Sequence, residues 1–328
     1  MKDILPGNVS SPEFVELKGD ASDRKFVRMS FDEDGKRKTY ILMIYPGEFD
    51  SSSLNFIEVQ KFLKKKGLPV PEISRIIAEK GIVVLEDLGD VTMEMKLTAE
   101  PSEKKKLYSE AMDIIIKMQR KAKLKKNESC VAFTLQFDVE KFMYELNFFR
   151  DNYIEKFCGR ELNSADSKVL DDCFMRLSTE LASYPEKVFC HRDYHSRNLM
   201  VTSAGLFMVD FQDARIGLPQ YDLASLLRDS YMELDNEFVE SMTNYYIERR
   251  EESGWPVNDI KSFIYYFHLA SMQRNIKAIG TFAFQKAGKG NDRYVKYIPT
   301  TFSYVRQNPA IKSQMSEIGE IFDKYSLW

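Results

Sequence analysis

Alternation of apolar and polar positions dominates the first ninety residues and predicts short β-strands. The acidic run at residues 32–35 ends in glycine and predicts a tight hairpin turn. Apolar positions at helical spacing predict one helix over residues 54–66, with Gly67 just beyond its end. The predicted strands cover residues 14–17, 25–31, 40–45, 75–79 and 82–85. This part of the chain therefore predicts an antiparallel sheet that carries a single helix.

Helical spacing takes over from about residue 102. Ser102 and Asn258 are suited to cap the helices that follow them. The predicted helices cover residues 102–122, 138–157, 164–183, 221–232, 237–252, 258–280 and 309–325, with short strands at 187–190, 199–201 and 206–209. This order predicts an α+β fold of two lobes with a ligand cleft between them. An N-lobe with an antiparallel sheet covers residues 1–90, and a mostly helical C-lobe covers residues 91–328.

The short strands enclose the most informative motif of the chain, HRDYHSRN at residues 191–198. A further apolar strand then leads to Asp210. Transfer of a phosphoryl group from ATP needs an acceptor for the hydroxyl proton and oxygen ligands for Mg²⁺. Asp193 is suited to accept the proton, and Asn198 and Asp210 are suited to hold the metal. The spacing therefore predicts an ATP- and Mg²⁺-dependent kinase with Asp193 as the catalytic residue.

The bulk composition narrows the class of protein. With 328 residues, 44% hydrophobic and 30% charged, the chain is long enough for a large core and typical of a globular protein. A formal net charge of -3 gives it no general attraction for nucleic acid or anionic lipid. No stretch reaches membrane-spanning length, and the N-terminus lacks the apolar core of a signal peptide. The four cysteines lack CxxC spacing, so we expect reduced thiols in a cytoplasmic protein.

The order of these segments resembles that of a known group of enzymes. The strand-rich N-lobe, the hinge, the HxD motif and the later aspartate are similar to the aminoglycoside phosphotransferase and choline kinase branch of the protein-kinase-like fold. Several segments resemble more closely the sugar kinases that phosphorylate N-acetylmuramate and N-acetylglucosamine at the anomeric position in cell-wall recycling. They are GDAS at 19–22, LEDLGD at 85–90, HRDYHSRNLM at 191–200, DFQDA at 210–214, YDLASLLRD at 221–229 and QRNIKAIGTF at 273–282. The resemblance implies ATP, Mg²⁺ and a small sugar substrate, with no nucleic acid or membrane partner.

One feature departs from the protein-kinase pattern. The third strand of protein kinases carries a lysine that holds the ATP phosphates, whereas the strand over residues 40–45 has none and has Met43 near that position. The available cations are Arg24, Lys25 and Arg28. Strand alternation puts Arg24 and Arg28 on one face, and we predict that Arg28 balances the phosphate charge. A solvated, charged strand is the alternative for all three.

The resemblance also implies where the nucleotide binds. The loop after the first strand is similar to a shortened phosphate-binding loop, in which Ala21 and Ser22 follow Gly19 and offer backbone N–H groups. Glu86 and Leu88 mark the hinge, whose backbone groups are expected to bind adenine.

Polar side chains near the motif and on otherwise apolar helices are candidates for binding the acceptor. Arg274 and Lys277 lie three residues apart on one helical face, where they suit a substrate carboxylate such as a lactyl group. Interhelical salt bridges are the equal alternative for them, whereas for His195 loop ordering is slightly favoured over contact with the substrate. Asp222 resembles the buried aspartate that anchors the catalytic loop in the related kinases. The predicted acceptor-binding residues are His195, Asp213, Arg228, Asp229, Arg274 and Lys277.

Other functions remain open from the sequence. An aminoglycoside would need an acidic patch and choline an aromatic cage, and the cations Arg228, Arg274 and Lys277 argue against both. The missing lysine allows a non-catalytic nucleotide-binding pseudokinase, although intact Asp193 and Asp210 argue against it. A protein kinase is disfavoured because no APE-like segment follows the motif. The sequence does not distinguish the sugar, its anomer or the oligomeric state.

Overall fold

The computed structural model describes residues 10–17, 24–33, 35–51 and 54–328. Its first five strands are β1 (Ser10–Leu17), β2 (Lys25–Glu33), β3 (Lys36–Ile44), β4 (Ile73–Ile77) and β5 (Ile82–Glu86). They form one antiparallel sheet in the order β1-β2-β3-β5-β4. Each predicted strand is present, with ends shifted by up to four residues.

Both faces of this sheet are apolar, because side chains alternate along each strand. On one face Met43 pairs with Phe26 and Val83 on the neighbouring strands and joins the main core of the molecule. The opposite face buries a separate cluster of Met29, Phe31, Leu42, Ile77, Ile82 and Val84. The central strand β3 therefore places Met43 at the boundary between the sheet and the rest of the chain.

Helix α1 (Asn55–Lys65) connects the sheet to the helical part. Its apolar face is buried, and Gly67 follows it with a φ of +72°, which fits the predicted helix end. The Glu58 carboxylate accepts a hydrogen bond from the backbone N–H of Val131 at 3.0 Å. This contact fixes α1 against a segment of the C-terminal part.

The rest of the chain is mostly helical. The α-helices are α2 (Met93–Ala99), α3 (Lys104–Lys121), α4 (Val139–Phe149), α5 (Ser164–Ser183), α6 (Gln220–Leu227), α7 (Asn236–Glu252), α8 (Ile260–Lys289), α9 (Ile298–Gln307) and α10 (Ser316–Lys324). Helix α4 passes directly into a π-helix, Arg150–Phe157. Side chains of Asp138, Asn163, Asp235 and Asp259 cap α4, α5, α7 and α8 by accepting backbone hydrogen bonds.

Four short strands lie among these helices. They are β6 (Val188–Cys190), β7 (Leu199–Thr202), β8 (Gly205–Met208) and β9 (Arg215–Gly217). Strand β6 pairs with β9, and β7 pairs with β8 through a turn in which Gly205 has a φ of +107°. The HRDYHSRN segment therefore leaves one two-stranded sheet and enters the other.

Several boundaries differ from the prediction for local reasons. Ser102 lies inside a short 3₁₀ helix and caps nothing, whereas Thr92 caps the unpredicted helix α2. Asp259 caps α8 in place of Asn258. The predicted helix over residues 221–232 ends at Leu227. Helices α2 and α9 and strand β9 are too short to show a clear period, and α9 is also rich in residues of low helix propensity.

Helix α8 is 30 residues long and does not end at Gly280 as predicted. A Cβ at Gly280 would lie 2.6 Å from the Cα of Phe149, closer than real Cβ atoms approach backbone. The glycine therefore serves close packing of α8 against the end of α4. The helix continues to Lys289 and is ended by Gly290, which has a φ of +68°.

One apolar core runs from the sheet into the helices, and strand β5 ends at Glu86 before α2 begins at Met93. The division into lobes at residue 90 stays a prediction. Within the described ranges, no helix combines the length and apolar character needed to cross a membrane.

We expect Gly280→Ala to destabilise the protein, although alanine is the better helix former by about 1 kcal/mol. The added Cβ would overlap the backbone of Phe149, so we expect a net loss of about 1–3 kcal/mol in the free energy of unfolding. Urea unfolding measures this loss. Gly47→Ala is the control, because its Cβ would meet no atom within 4 Å. Equal stability of both variants would show that α8 and α4 separate without cost.

Candidate active site

The predicted catalytic loop is held in place by Asp222, on the first turn of α6. Asp222 Oδ2 accepts a hydrogen bond from the backbone N–H of His191 at 2.7 Å, and Oδ1 accepts one from Arg192 at 2.9 Å. Arg192 has a φ of +85°, a strained conformation for a residue with a side chain. Burial raises the pKa of Asp222 to about 7, although both backbone hydrogen bonds oppose this change. The two bonds hold the strained turn just before Asp193.

A second buried aspartate holds the middle of the loop. Asp229 Oδ2 accepts from the N–H and the hydroxyl of Ser196 at 2.9 and 2.6 Å. Asp229 Oδ1 accepts from the N–H of Tyr231 at 2.8 Å. Asp229 therefore anchors the loop a second time. The residue is 2% exposed, yet it lines a small cavity beside Asp193, so its predicted role in binding the acceptor stays a prediction.

Asp193 lies among three cations. Its Oδ1 is 3.0 Å from Lys277 Nζ and 3.7 Å from Arg274 Nη2, and its Oδ2 is 3.7 Å from Arg192 Nη1. Burial disfavours a charged carboxylate, but the three cations outweigh it and hold the pKa of Asp193 well below its usual range. Asp193 is therefore an ionised hydrogen-bond acceptor at neutral pH.

Glu145, a buried residue of α4, balances part of this positive charge. Its Oε1 lies 3.4 Å from Arg192 Nη2 and 3.2 Å from Lys141 Nζ. Its Oε2 accepts from Gln273 Nε2 at 3.0 Å. Burial opposes ionisation, yet Lys277 and the other nearby cations lower the pKa of Glu145 to about 2. Glu145 could not be recognised from the sequence, because an acid on an amphipathic helix is usually exposed.

Asn198 and Asp210, the predicted metal ligands, line the same cavity. The Asn198 side-chain amide donates to the Asp193 carbonyl at 2.9 Å, which leaves its amide oxygen as the group for a metal. Asp210 has a φ of +64° and a side chain that is 47% exposed. A carboxylate and an amide oxygen fit Mg²⁺, which usually keeps waters and phosphate oxygens among its ligands. No cluster of three His, Cys, Asp or Glu residues suited to a metal occurs in the described part of the chain, so the nucleotide would complete this site.

A cavity of about 570 Å³ separates the sheet from the helical part. Its inner walls are apolar and include Ile41, Met43, Leu85, Met200 and Val209. The predicted hinge residues Glu86 and Leu88 line one end, and Asn198 and Asp210 line it near the catalytic loop. An apolar slot with a polar end matches a nucleotide, whose base is flat and whose phosphates are charged.

A smaller cavity of about 240 Å³ adjoins the first one beside Asp193. Its lining residues are largely polar and include Ser225, Arg274 and Asn275, each of which has a buried polar atom without a hydrogen-bond partner in the described structure. Such atoms are the groups that a polar ligand satisfies. Five residues line both cavities, namely His195, Asp210, Tyr231, Thr281 and Phe282.

Arg28, predicted to balance the phosphate charge, is engaged at the hinge. Its Nε and Nη2 donate to the two carboxylate oxygens of Asp87 at 2.7 and 3.0 Å, and its Nη1 donates to Asp90 at 3.0 Å. Two carboxylates already neutralise the guanidinium, so the structure does not support the predicted role. The acids of the hinge pair with Arg28 through their side chains, whereas the hinge was predicted to act through backbone groups.

Arg24 lies where the strand lysine of protein kinases is missing. Its Nη1 is 3.7 Å from the Met43 sulfur, and its Nη2 is 3.5 Å from Asp210 Oδ1. The side chain lines the larger cavity and is 16% exposed. Alternation correctly grouped Arg24 with Arg28 but could not show which end of the cleft each one reaches.

The other predicted residues are distributed unevenly. His195 lines both cavities, and burial lowers its pKa to about 3, so it is neutral. Asp213 lines the larger cavity, 3.2 Å from Arg192. Arg228 lines neither cavity, because α6 has ended and its side chain donates to Asn236 at 2.8 Å. The predicted phosphate loop with Gly19, Ala21 and Ser22 lies outside the described residues.

The prediction missed one wall of the larger cavity, formed by Thr281, Phe282, Gln285 and Tyr294. Three of these residues lie on α8 beyond Gly280, where the predicted helix ended. Residues of high helix propensity after Gly280 were the sequence signal that the helix continues.

Comparison with known proteins agrees with this geometry. Residues 13–257 match the model of the phosphotransferase enzyme family. The chain is 32% identical over 291 residues to an N-acetylmuramate/N-acetylglucosamine kinase of Neisseria meningitidis, covering 88% of this chain and 83% of that one. It is 29% identical to a kinase of the same name from Pseudomonas aeruginosa, covering 96% and 89%.

Among solved structures, the fold is similar to that of the ADP-bound aminoglycoside phosphotransferase APH(2'')-Ib, with a TM-score of 0.58 and 17% identity over 92% of this chain and 94% of that one. This likeness confirms the predicted kinase-like fold. The sequence relatives confirm the predicted resemblance.

We expect Arg24→Met to weaken ATP binding by about 10–100-fold and adenosine binding hardly at all, because only the phosphates lose a charged partner. Arg28→Met should affect both ligands equally, since it frees the hinge acids. Calorimetric titration of each variant with both ligands measures the difference. A loss selective for ATP in Arg28→Met alone would restore the original assignment.

Proposed function

Since this chain belongs to the phosphotransferase enzyme family, we propose that it is a sugar kinase that transfers the γ-phosphoryl group of ATP to the anomeric hydroxyl of N-acetylmuramate or N-acetylglucosamine. The observation that carries this proposal is the position of Asp193 in a small polar cavity that shares a wall with the larger cleft. Two relatives named N-acetylmuramate/N-acetylglucosamine kinase support the sugar, and the ADP-bound neighbour in fold supports the nucleotide.

In this proposal the nucleotide occupies the larger cavity, between the two lobes that meet near residue 90. Adenine lies against the hinge at Glu86 and Leu88, and the phosphates point toward Arg24 and the pair Asn198 and Asp210. Mg²⁺ held by Asn198 and Asp210 would neutralise charge on the phosphates during transfer. Arg24 supplies the cation that Met43 cannot, from the same corner of the cleft.

The sugar occupies the smaller cavity with its C1 hydroxyl beside Asp193. The ionised carboxylate accepts the hydroxyl proton as the oxygen attacks phosphorus. An anomeric hydroxyl is more acidic than other sugar hydroxyls, so it suits a carboxylate base. Ser225 and Asn275 line this cavity and each has a buried polar atom without a partner in the described structure, so they are the candidates to contact ring substituents such as the acetamido group.

The cations around this cavity disfavour two other acceptors. Lys277, Arg274 and Arg192 all lie within 4 Å of Asp193. A polycationic aminoglycoside or the quaternary ammonium of choline would meet like charge there. An ionised Asp193 in the smaller cavity, which shares five lining residues with the larger one, also fits a catalyst better than a nucleotide-binding pseudokinase.

We expect incubation with ATP, Mg²⁺ and N-acetylglucosamine to give a glycosyl 1-phosphate. Its phosphorus NMR signal should couple to the anomeric proton, and the product should be labile in acid. The methyl glycoside should not react, because its C1 oxygen has no proton, and Asp193→Asn should lose about 10²–10⁴-fold in turnover. Phosphorylation of the methyl glycoside would move the reaction to another hydroxyl.

We expect Arg274→Ala to lower kcat/KM for N-acetylmuramate about 10–100-fold more than for N-acetylglucosamine, since only the former carries a lactyl carboxylate. Arg274 is the better candidate than Lys277 because its Nε has no partner in the described structure. Arg228→Ala is the matched control, since that side chain lines neither cavity. An equal loss for both sugars would remove carboxylate binding from the role of Arg274.

A further inference from the structure

Lys277 occupies a position that carboxylate recognition does not explain. Its Nζ lies 3.0 Å from Asp193 Oδ1, the predicted base, and its side chain is only 13% exposed. It projects from α8 into the smaller cavity, which holds the sugar in the proposed function. An ammonium group has three donors, and the bond to Asp193 uses one of them. The others are available to an oxygen placed beside Asp193.

We propose that Lys277 is a second catalytic residue, which donates a hydrogen bond to the attacking acceptor oxygen while Asp193 takes its proton. This inference rests on the proposed transfer to the anomeric hydroxyl. It assigns Lys277 to the reacting atom and leaves the recognition of a substrate carboxylate to Arg274.

The step is an in-line displacement at the γ-phosphorus of ATP. The acceptor oxygen forms a bond to phosphorus, and its proton passes to Asp193. The bond from phosphorus to the β,γ-bridging oxygen breaks, and the electron pair leaves with ADP. Negative charge grows on the acceptor oxygen as the proton leaves. The Lys277 ammonium, fixed beside Asp193, stabilises that charge without reorganisation.

The surroundings of Lys277 favour this role over that of a simple counter-ion. Asp193 already has Arg192 and Arg274 at 3.7 Å, so charge neutralisation alone does not require a third cation at 3.0 Å. Glu145 contacts Arg192, one of these cations. Lys277 is the closest of the three cations to the Asp193 carboxylate and also lines the acceptor cavity.

A test is to remove the donor and vary the acidity of the acceptor hydroxyl. Lys277→Met keeps the length of the side chain and removes its charge. The two acceptors are N-acetylglucosamine and its N-trifluoroacetyl analogue, whose fluorines make the anomeric hydroxyl more acidic at nearly constant shape. Single-turnover rates with saturating ATP and sugar isolate the chemical step from binding and product release.

We expect Lys277→Met to lose at least about 100-fold with N-acetylglucosamine and at most about 10-fold with the trifluoroacetyl analogue. The more acidic hydroxyl needs less help from the missing donor. Lys286→Met, at a half-exposed position on the same helix, is the control and should react at the wild-type rate with both sugars.

Equal losses with both acceptors, or a loss confined to KM, would overturn the proposal and leave Lys277 as a structural counter-ion. If Lys277→Met does not fold, Lys277→Arg keeps the charge, displaces the donor and is subjected to the same comparison of acceptors. Failure of the wild-type protein to form a 1-phosphate would instead refute the proposed function, so the two failures are distinct.

Discussion

The site depends on Asp222, whose two carboxylate oxygens accept hydrogen bonds from two consecutive backbone N–H groups. Asp222 holds Arg192 in a left-handed conformation and so fixes the direction in which Asp193 leaves the chain. Asp229 likewise accepts a hydrogen bond from the backbone N–H of Ser196, further along the loop. Buried carboxylates are costly, and here the cost is offset by the hydrogen bonds that both oxygens of each carboxylate accept from backbone N–H groups.

Electrostatic balance decides how the same loop works. Three cations lie within 4 Å of the Asp193 carboxylate, and the buried Glu145 contacts one of them, Arg192. Toward the sheet the balance is different, because Asp87 and Asp90 pair with Arg28, and Arg24 is the cation paired with Asp210 among the residues that the structure describes. What each cation can bind therefore depends on the acid with which it is paired.

Much of the fold could be predicted from the sequence, since strand alternation and helical spacing are local properties. The motif around Asp193 could be recognised equally well, because its residues lie close together in the sequence. The contribution of Glu145 was not, since it depends on the packing of α4 against α8. In the proposed function the role predicted for Arg28 falls to Arg24 instead, and this too could not be predicted, because Arg28 pairs with Asp87, which is distant in the sequence. The predicted helix end at Gly280 was wrong, because the sequence does not show whether a glycine ends a helix or permits close packing.

The length of α8 has a consequence for how this enzyme could diverge. Lys277 lines the smaller cavity, and Thr281, one turn later, lines both cavities. The rigid helix therefore fixes their separation at about 6 Å along its axis. An insertion between them would rotate all later residues by about 100° and break both sites together. Evolution of new acceptors on this scaffold is thus confined to exchange of side chains at constant helix register.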